Sequence, residues 1–511
     1  MKLFSIRGGV NPEGRKSMSS EKPIRDLPLP DLLQVPLQQH VGTPAAPLVE
    51  AGDLVLKGQL LAAGDGVVSA AVHAPTSGEI VGIGMFPAPH PSGLPVHTVT
   101  LKPDGKDQWG DLPAPMADPF ACTPEEIAER VAQSGIVGLG GGVFPSAIKL
   151  NLREQYDPHT LVLNGAECEP YLTCDDRLMR EYAAEVIDGA RIMAHALGAK
   201  SILIGIETNK PAALAAMRVA ATPFSEIRVA GLPVRYPMGS EKHLVQALTG
   251  VETPSGQLTA VVGYVVHNSA TAFAVSEAVR HGRPLINRIV TVSGGAIQAP
   301  ANLRVPLGVS VNHILKDCGG LKDKPEQLLS GGPMMGQPLT SLDVPAVKGM
   351  NAILALTRKE ARQKTTMPCI RCGDCVDICP CGLVPLDLAA EIKRDDIPAA
   401  LRHGLAECMS CGSCSYVCPS HIPLVQYFNH AKGKAKVLAT EEKRIEGSKD
   451  LAARRNARLE RELAAKKAKM AARKAEAAKK AEAARKAKEA EETANPTSPA
   501  GEPVAVETAA P

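Results

Sequence analysis

One phrase occurs twice between Cys369 and Cys418: CIRCGDCVDICP at 369–380 and CMSCGSCSYVCP at 408–419. Both read C-x2-C-x2-C-x3-C-P. Cysteines at every third residue let three thiolates wrap the backbone around three irons of a cubane, while the proline turns the fourth cysteine away. Where two such runs share a chain, each fourth cysteine ligates the other cluster. The spacing therefore assigns Cys369, Cys372, Cys375 and Cys418 to one [4Fe-4S] cluster and Cys379, Cys408, Cys411 and Cys414 to the second. Zinc is the competing reading, but its closed sites usually come as two distant C-x2-C pairs. The roughly 28 residues between the runs carry helical spacing at 386–392 and 397–403, which predicts a helical two-cluster domain over 351–432.

Working outward, 511 residues are enough for several domains with sizeable cores. Aromatics make up 3% and Trp109 is the one tryptophan, which argues against a base-stacking surface. Met1-Lys2-Leu3-Phe4 does not open a signal peptide, so Cys122, Cys168, Cys174, Cys318 and Cys381 are expected as reduced thiols. The apolar run at 258–266 falls well short of the ~20 residues of a membrane span. Net charge is +3, but residues 431–490 hold roughly 20 Lys/Arg against roughly 9 acidic residues. The basic character belongs to a tail whose interspersed glutamates and missing aromatics argue against nucleic acid as a partner.

The rest of the chain divides by period. Residues 1–34 are proline-punctuated and read as an ordered arm over another domain. Residues 35–117 alternate short β-type runs with Gly/Pro/Asp turns, as in a small sandwich or barrel. The phrases GDLVLKGQ (52–59) and APTSGEI (74–80) resemble the barrel-sandwich fold of biotinyl and lipoyl carriers, but the hairpin tip at 64–68 has no lysine to modify. Over 118–287 β-type runs alternate with helices, including a capped helix after Thr123 and a helix expected at 177–197. That alternation argues for a mainly parallel sheet of Rossmann-like kind, whose strand ends are where nucleotides belong. Residues 288–350 return to β-type phrases with one short helix after Val311 and read as a β-grasp, soluble-ligand-binding (SLBB-like) module. Residues 433–511 are Ala/Lys/Arg/Glu repeats, helix-prone but polar on every face, and end in Pro/Thr/Glu-rich sequence expected to be disordered from about 494. The fold expected is thus multidomain α/β.

A second chemical centre lies at GLGGGVFPSAIK, 138–149. Glycines let the backbone approach a ligand, and a helix after Phe144-Pro145 would aim free N–H groups at a phosphate, with Lys149 adding charge. Alone, the loop reads equally well as a required tight turn. NGAECEP (164–170) follows an apolar strand, where Glu167 and Glu169 either face the crevice or form an exposed acidic turn. YPMGSEK (236–242) and HNSAT (267–271) cluster groups able to bond a flavin edge or ribose hydroxyls.

Residues 138–149 and 164–170 resemble the flavin loop and the N-A-D-E-x-E-P segment of the NADH-oxidising flavoprotein subunit of respiratory complex I. Combined with the barrel-sandwich start, the β-grasp module and the two cysteine runs, residues 1–432 resemble the C subunits of Rnf/Rsx ion-translocating electron transport complexes. Residues 72–78, 236–250 and 331–336 (GGPMMG) make the resemblance specific. It implies that Gly138, Gly140, Gly141, Gly142 and Lys149 hold the phosphate side of FMN, that Asn164, Glu167, Glu241, His267, Asn268 and Thr271 line the flavin, and that Phe144 and Glu169 stand at the NADH position. Leu139, Val143, Ala166 and Ser240 depart from the complex I pattern, where arginine, glycine, aspartate and glutamate are usual. The resemblance further implies a peripheral, cytoplasmic-side subunit of a bacterial inner-membrane translocase. It would exchange hydride with NAD(H) and pass electrons toward ferredoxin or a redox regulator, beside integral-membrane and ferredoxin-like subunits. A non-catalytic iron–sulfur relay without its own flavin is the alternative. No acid or base is needed, and His195 and His243 read as surface or packing residues.

Overall fold

A computed structural model describes residues 2–90, 92–361 and 364–494, which divide into two units between Lys432 and Gly433. The part of the tail expected to be disordered lies, from 495 on, outside the described residues.

The centre of the first unit is a sheet of four parallel strands in the order Ile227–Leu232, Ser201–Glu207, Thr160–Gly165, Tyr264–Asn268. Strand Thr160–Gly165 is buried along almost its whole length, as a parallel strand covered on both faces must be. Helices Ala183–Leu197 and Ser269–His281 pack so closely that a Cβ on Gly189 would lie 1.8 Å from the Ala272 carbonyl oxygen. That approach demands glycine. The single helix expected at 177–197 is instead two, Cys174–Glu181 and Ala183–Leu197. Tyr182 leaves helical geometry at φ −130°, its hydroxyl accepting from Arg304 at 2.6 Å and its ring tilted over Phe273 at 5.1 Å. Tertiary contacts thus override a continuous helical pattern. Register places Asn164 beside Asn268 at neighbouring strand ends, where an open parallel sheet keeps its crevice.

Residues 33–103 form two small antiparallel sheets, one of four strands and one of three. A six-stranded sheet follows, built on Asn287–Ser293 and Ala301–Pro306. Leu33, Val35, Leu61 and Val99 of the former share one core with Val290, Leu303 and Ile353 of the latter. Neither set of short strands buries enough surface alone, and each enclosed Leu, Ile or Val contributes about 2 kcal/mol. The six-stranded sheet also extends past one expected boundary. Ala352–Leu356, counted above with the cluster domain, pairs with both Asn287–Ser293 and Gln327–Ser330 and is buried at every position. An all-apolar strand needs partners on both edges, and a small cysteine domain has none to offer. Ile24–Asp26 of the arm adds a parallel edge strand beside Ala301–Pro306.

After this sheet come the cysteine runs, with helices Pro385–Lys393 and Ile397–Arg402 between them close to the expected positions. Helix Leu424–Thr493 follows. From Gly433 on it is almost wholly exposed, and i,i+4 pairs such as Lys480–Glu476 and Arg485–Glu489 support it on its surface.

Candidate functional site

The two cysteine runs repeat each other in backbone conformation as well as in spacing. Arg371 and Gly373 in the first have positive φ, as do Ser410 and Gly412 in the second, and the turns after the prolines repeat it at Gly382 and His421. Two or four residues after each first cysteine, the chain must curl left-handed to bring the next thiol to the same side. The sulfurs then sort crosswise. Cys369, Cys372, Cys375 and Cys418 line one cavity of about 160 Å³, together with Leu386, Ala389 and Ile422. Cys379, Cys408, Cys411 and Cys414 line another of about 20 Å³, closed by Leu383, Val425 and Phe428.

The two sites differ in setting. Cys369 and Cys372 are exposed, whereas Cys379, Cys411 and Cys414 are buried. In the buried site desolvation, then the neighbouring thiols, push Cys414 up to about 12, and burial raises Cys408 and Cys411 as well. Clustered sulfurs, three of them held toward the protonated form by burial, fit a metal cluster, because iron supplies the counter-charge that lets thiolates persist. Cys381 lines the same cavity, and burial raises its thiol to about 11.

The buried site is tied to the parallel-sheet domain. Tyr236, 2% exposed, donates its hydroxyl to the Cys411 carbonyl at 2.6 Å. His243 lies in helix Glu241–Thr249, where its Nε2 donates to the Pro380 carbonyl at 3.1 Å and its Nδ1 accepts from Ser240 at 3.0 Å. It is buried against the cysteine segment and is no surface residue. From the arm, Gly9 donates its N–H to the Ile378 carbonyl, and Val10 bridges Tyr236.

The glycine loop lies at the strand ends. It closes through Gly138 N–H to Phe144 O at 2.8 Å and Val143 N–H to Gly138 O at 3.0 Å. Thr271 accepts from Leu139 N–H at 3.0 Å, Arg288 donates to the Leu139 carbonyl at 2.7 Å, and Gly140 faces the Asn268 side chain. Gly142 is not in the left-handed region and a Cβ there would meet nothing within 4 Å, so neither backbone nor packing requires glycine. An open floor of this kind fits a ligand that approaches the main chain. Ser146 Oγ, His267 Nε2 and Ser269 Oγ around it are buried without a partner. Burial, aided by Lys149, holds His267 far below its usual range, and its imidazole is neutral. These unmet polar atoms and the bare loop suit a polar cofactor such as a flavin nucleotide.

The other expected residues divide. Lys149 bonds Glu241 and the Val266 carbonyl, each at 3.0 Å, and Glu241 also accepts from Thr259 at 2.7 Å. Asn164 joins two turns, accepting from Ala166 N–H and donating to the Gly239 carbonyl, while Asn268 caps the following helix and donates to Asp175 at 2.7 Å. Glu167 turns inward. Its carboxylate accepts the Asp175 N–H at 2.9 Å and the Asp176 N–H at 3.4 Å at the start of helix Cys174–Glu181. Burial raises its pKa, opposed by Lys16 and Lys210. Glu169 is half-buried and engaged by the 331–336 turn: it accepts from Met334 N–H at 3.0 Å and Met335 N–H at 2.8 Å.

Four stretches match family models: an RnfC barrel-sandwich hybrid domain at 4–106, a Nuo51 FMN-binding domain at 131–277, an SLBB domain at 289–338 and a 4Fe-4S dicluster domain at 368–422. The C subunit of the ion-translocating oxidoreductase complex of Rhodobacter capsulatus is 56% identical over 435 residues, covering 85% of this chain and 84% of that protein. The chain belongs to the family of C subunits of ion-translocating oxidoreductase complexes. Members from Haemophilus influenzae (44% identical, 90% of this chain, 71% of that one) and Pseudomonas aeruginosa (45%, 90% and 59%) are also similar. A chain of the NAD+-reducing [NiFe]-hydrogenase overlaps at TM-score 0.45 and 20% identity, covering 60% of this chain and 62% of that one, too distant to support an inference. Membership makes the chain a peripheral electron-transfer subunit of an ion-translocating oxidoreductase complex, with an FMN-binding and a 4Fe-4S dicluster domain and other subunits beside it. Among the described residues no helix is long and apolar enough to cross a membrane.

Several residues around the glycine loop and the 164–170 segment carry no local signal. Lys16 reaches from the arm to donate to the carbonyls of Glu167, Glu169 and Leu172 at 2.7–2.9 Å. Lys210 pairs with Glu207 at 2.6 Å, both 1% exposed. Burial pulls the Lys210 pKa down, but Glu207 and Glu167 outweigh it and the net shift is upward. Only the stretches these residues touch had marked the site.

Proposed function

We propose that this subunit exchanges hydride with NAD(H) through FMN and relays single electrons through two [4Fe-4S] clusters, as part of an NAD(H):ferredoxin-type oxidoreductase within a translocase on the cytoplasmic side of the bacterial inner membrane. The observation that carries the proposal is the crosswise sorting of the eight motif cysteines, four to each of two cavities, the buried one, which Cys381 also lines, bonded to the flavin domain. Bound here, FMN would supply the conversion between a two-electron nicotinamide and one-electron clusters.

This chain's own residues do the positioning. Gly138, Gly140, Gly141 and Gly142 offer a bare main chain, and Lys149, now paired with Glu241, supplies a cation for the phosphate side. Asn164, Asn268 and Thr271 hold the strand ends and the loop in register, and neutral His267 offers an unpaired ring nitrogen. Glu167 acts through helix Cys174–Glu181, whose first N–H groups it holds. Phe144 remains the candidate at the nicotinamide position; the Glu169 carboxylate is already engaged by Met334 and Met335. The order favoured is flavin, then the Cys379/Cys408/Cys411/Cys414 site, then the exposed Cys369/Cys372/Cys375/Cys418 site, then a one-electron partner such as ferredoxin, a redox regulator or a ferredoxin-like subunit. Integral-membrane subunits would carry the ion.

Flavin and iron analysis of the isolated subunit, with NADH titration followed spectroscopically, tests this. Stoichiometric FMN, about eight irons per chain and flavin bleaching by NADH are expected. Iron without flavin would reduce the subunit to an iron–sulfur relay, and NADH oxidation without flavin would overturn the assignment.

A further inference from the structure

The GGPMMG turn at 331–336 is the part of the SLBB region that reaches the buried cysteine site. It is wedged between two surfaces. On one side both carboxylate oxygens of Glu169 accept its N–H groups, Oε2 from Met334 and Oε1 from Met335. Contact there is so close that a Cβ on Gly332 would lie 2.2 Å from Glu169 Oε2. On the other side the Met334 carbonyl oxygen lies 2.9 Å from where a Cβ of Gly412 would stand, and Gly412 follows Cys411 directly. Met334 also packs in the apolar cluster that contains Cys411 and Tyr236. The turn closes on itself through Gly336 N–H to the Gly332 carbonyl at 2.8 Å. Behind Glu169, the Lys16 ammonium holds its backbone carbonyl at 2.8 Å.

We propose that Glu169 is a positioning residue whose carboxylate latches the 331–336 turn over the Cys411–Gly412 segment and so keeps water from the buried cluster. This rests on the iron–sulfur reading given above. The physical basis is a charge-assisted pair of hydrogen bonds, stronger than neutral ones and directed at two successive N–H groups. The turn joins the paired strands Gln327–Ser330 and Gln337–Pro338, and within it Gly331 and Gly336 each donate one main-chain bond, so that among the described residues Glu169 supplies the side-chain anchor of its tip. A cluster's potential depends on solvent exposure and on nearby hydrogen bonds, and water stabilises the more negative, reduced state. Releasing the turn, which touches the Cys411–Gly412 segment, therefore raises the potential of that cluster and leaves the other as it was.

Two variants of the full chain test this, Glu169→Ala and Gly332→Ala. The second leaves the carboxylate in place but drives a methyl group into it. Amide hydrogen exchange at Met334 and Met335 should accelerate on the order of 10- to 100-fold in Glu169→Ala and in the same direction in Gly332→Ala. Glu169→Gln, which keeps one acceptor oxygen, should fall between. In reconstituted protein, potentiometric titration followed by electron paramagnetic resonance should show a more positive potential for one cluster only. Unchanged exchange at 334 and 335 in both alanine variants, or equal shifts of both clusters, overturns the latch. Weakened NADH binding with exchange and potentials unaltered also overturns it and returns Glu169 to the nicotinamide site. Exchange decides the latch even in iron-free protein, so its failure and the failure of the iron–sulfur reading give different results.

Discussion

The two four-cysteine sites are made from the same phrase and the same left-handed turns, yet one stands at the surface and the other is enclosed. Cys369 and Cys372 are exposed beside Ile370, itself 68% exposed, while Cys411 and Cys414 share a cavity with Phe428 and Cys411 packs with Tyr236. Motif chemistry is equal at both. What differs is what the rest of the chain lays over them: the arm through Gly9, the flavin domain through Tyr236 and His243, and the 331–336 turn through Gly412. On the proposed function, identical ligand sets in unlike dielectric surroundings would give their clusters different potentials, so that the duplicated motif would make two unequal stations.

The largest effect should come from breaking the crossing. Cys418→Ser is expected to remove the cluster of the first run, and Cys379→Ser that of the second, each lowering iron from about eight to about four per chain. Loss confined to the mutated run's own cluster, read by electron paramagnetic resonance, would falsify the crosswise assignment. Next comes accessibility. An iron chelator should strip the exposed site on the order of tenfold faster than the buried one, and simultaneous loss would erase the contrast in solution.

A smaller effect should separate the two environments chemically. Tyr236→Phe leaves the Cys411 carbonyl without its donor, at a cost of about 1–2 kcal/mol in chemical denaturation. It should shift the buried cluster's potential and not the exposed one's; equal shifts would mean that Tyr236 acts on overall stability alone. The subtlest probe is pH. Burial raises Glu169 from 4.5 to about 7, against the pull of the Met334 and Met335 N–H groups. Its folded pKa exceeds its unfolded one, so the stability that comes from burying the neutral acid is fully present below about 4.5 and is lost as pH rises through 7, while the two N–H bonds, which favour the ionised form, offset part of that loss. Stability measured across that window should fall more steeply in the parent than in Glu169→Gln, and parallel slopes would remove Glu169 from the account.

Much of the architecture was legible because it is written in local spacing. The strand Thr160–Gly165, the capped helix Pro124–Gln133 with Thr123 and Glu126 bonded reciprocally, and the helices between the cysteine runs all follow from period and caps. Legibility failed where distant contacts decide. The break at Tyr182 answers to Arg304 and Phe273, and Ala352–Leu356 reads as an isolated apolar run until its neighbours in the six-stranded sheet are known. Among the site residues, the glycine loop announced itself through composition. The inward turn of Glu167 and the engagement of Glu169 did not, since an acidic residue after a strand looks the same whichever way it points.

By itself, then, the sequence determined which eight thiols form two sets, that a glycine-rich loop follows a capped helix, and that the chain changes character after Lys432. Those are properties of neighbours along the chain, where covalent geometry limits the outcomes. Tertiary structure alone decided which set is enclosed and what touches it. Tyr236 and Cys411 are 175 residues apart, Glu169 and Met335 are 166 apart, and Lys16 and Glu167 are 151 apart. Bonds across such separations form only once burial has brought the groups together and removed competing water, and no local pattern encodes that.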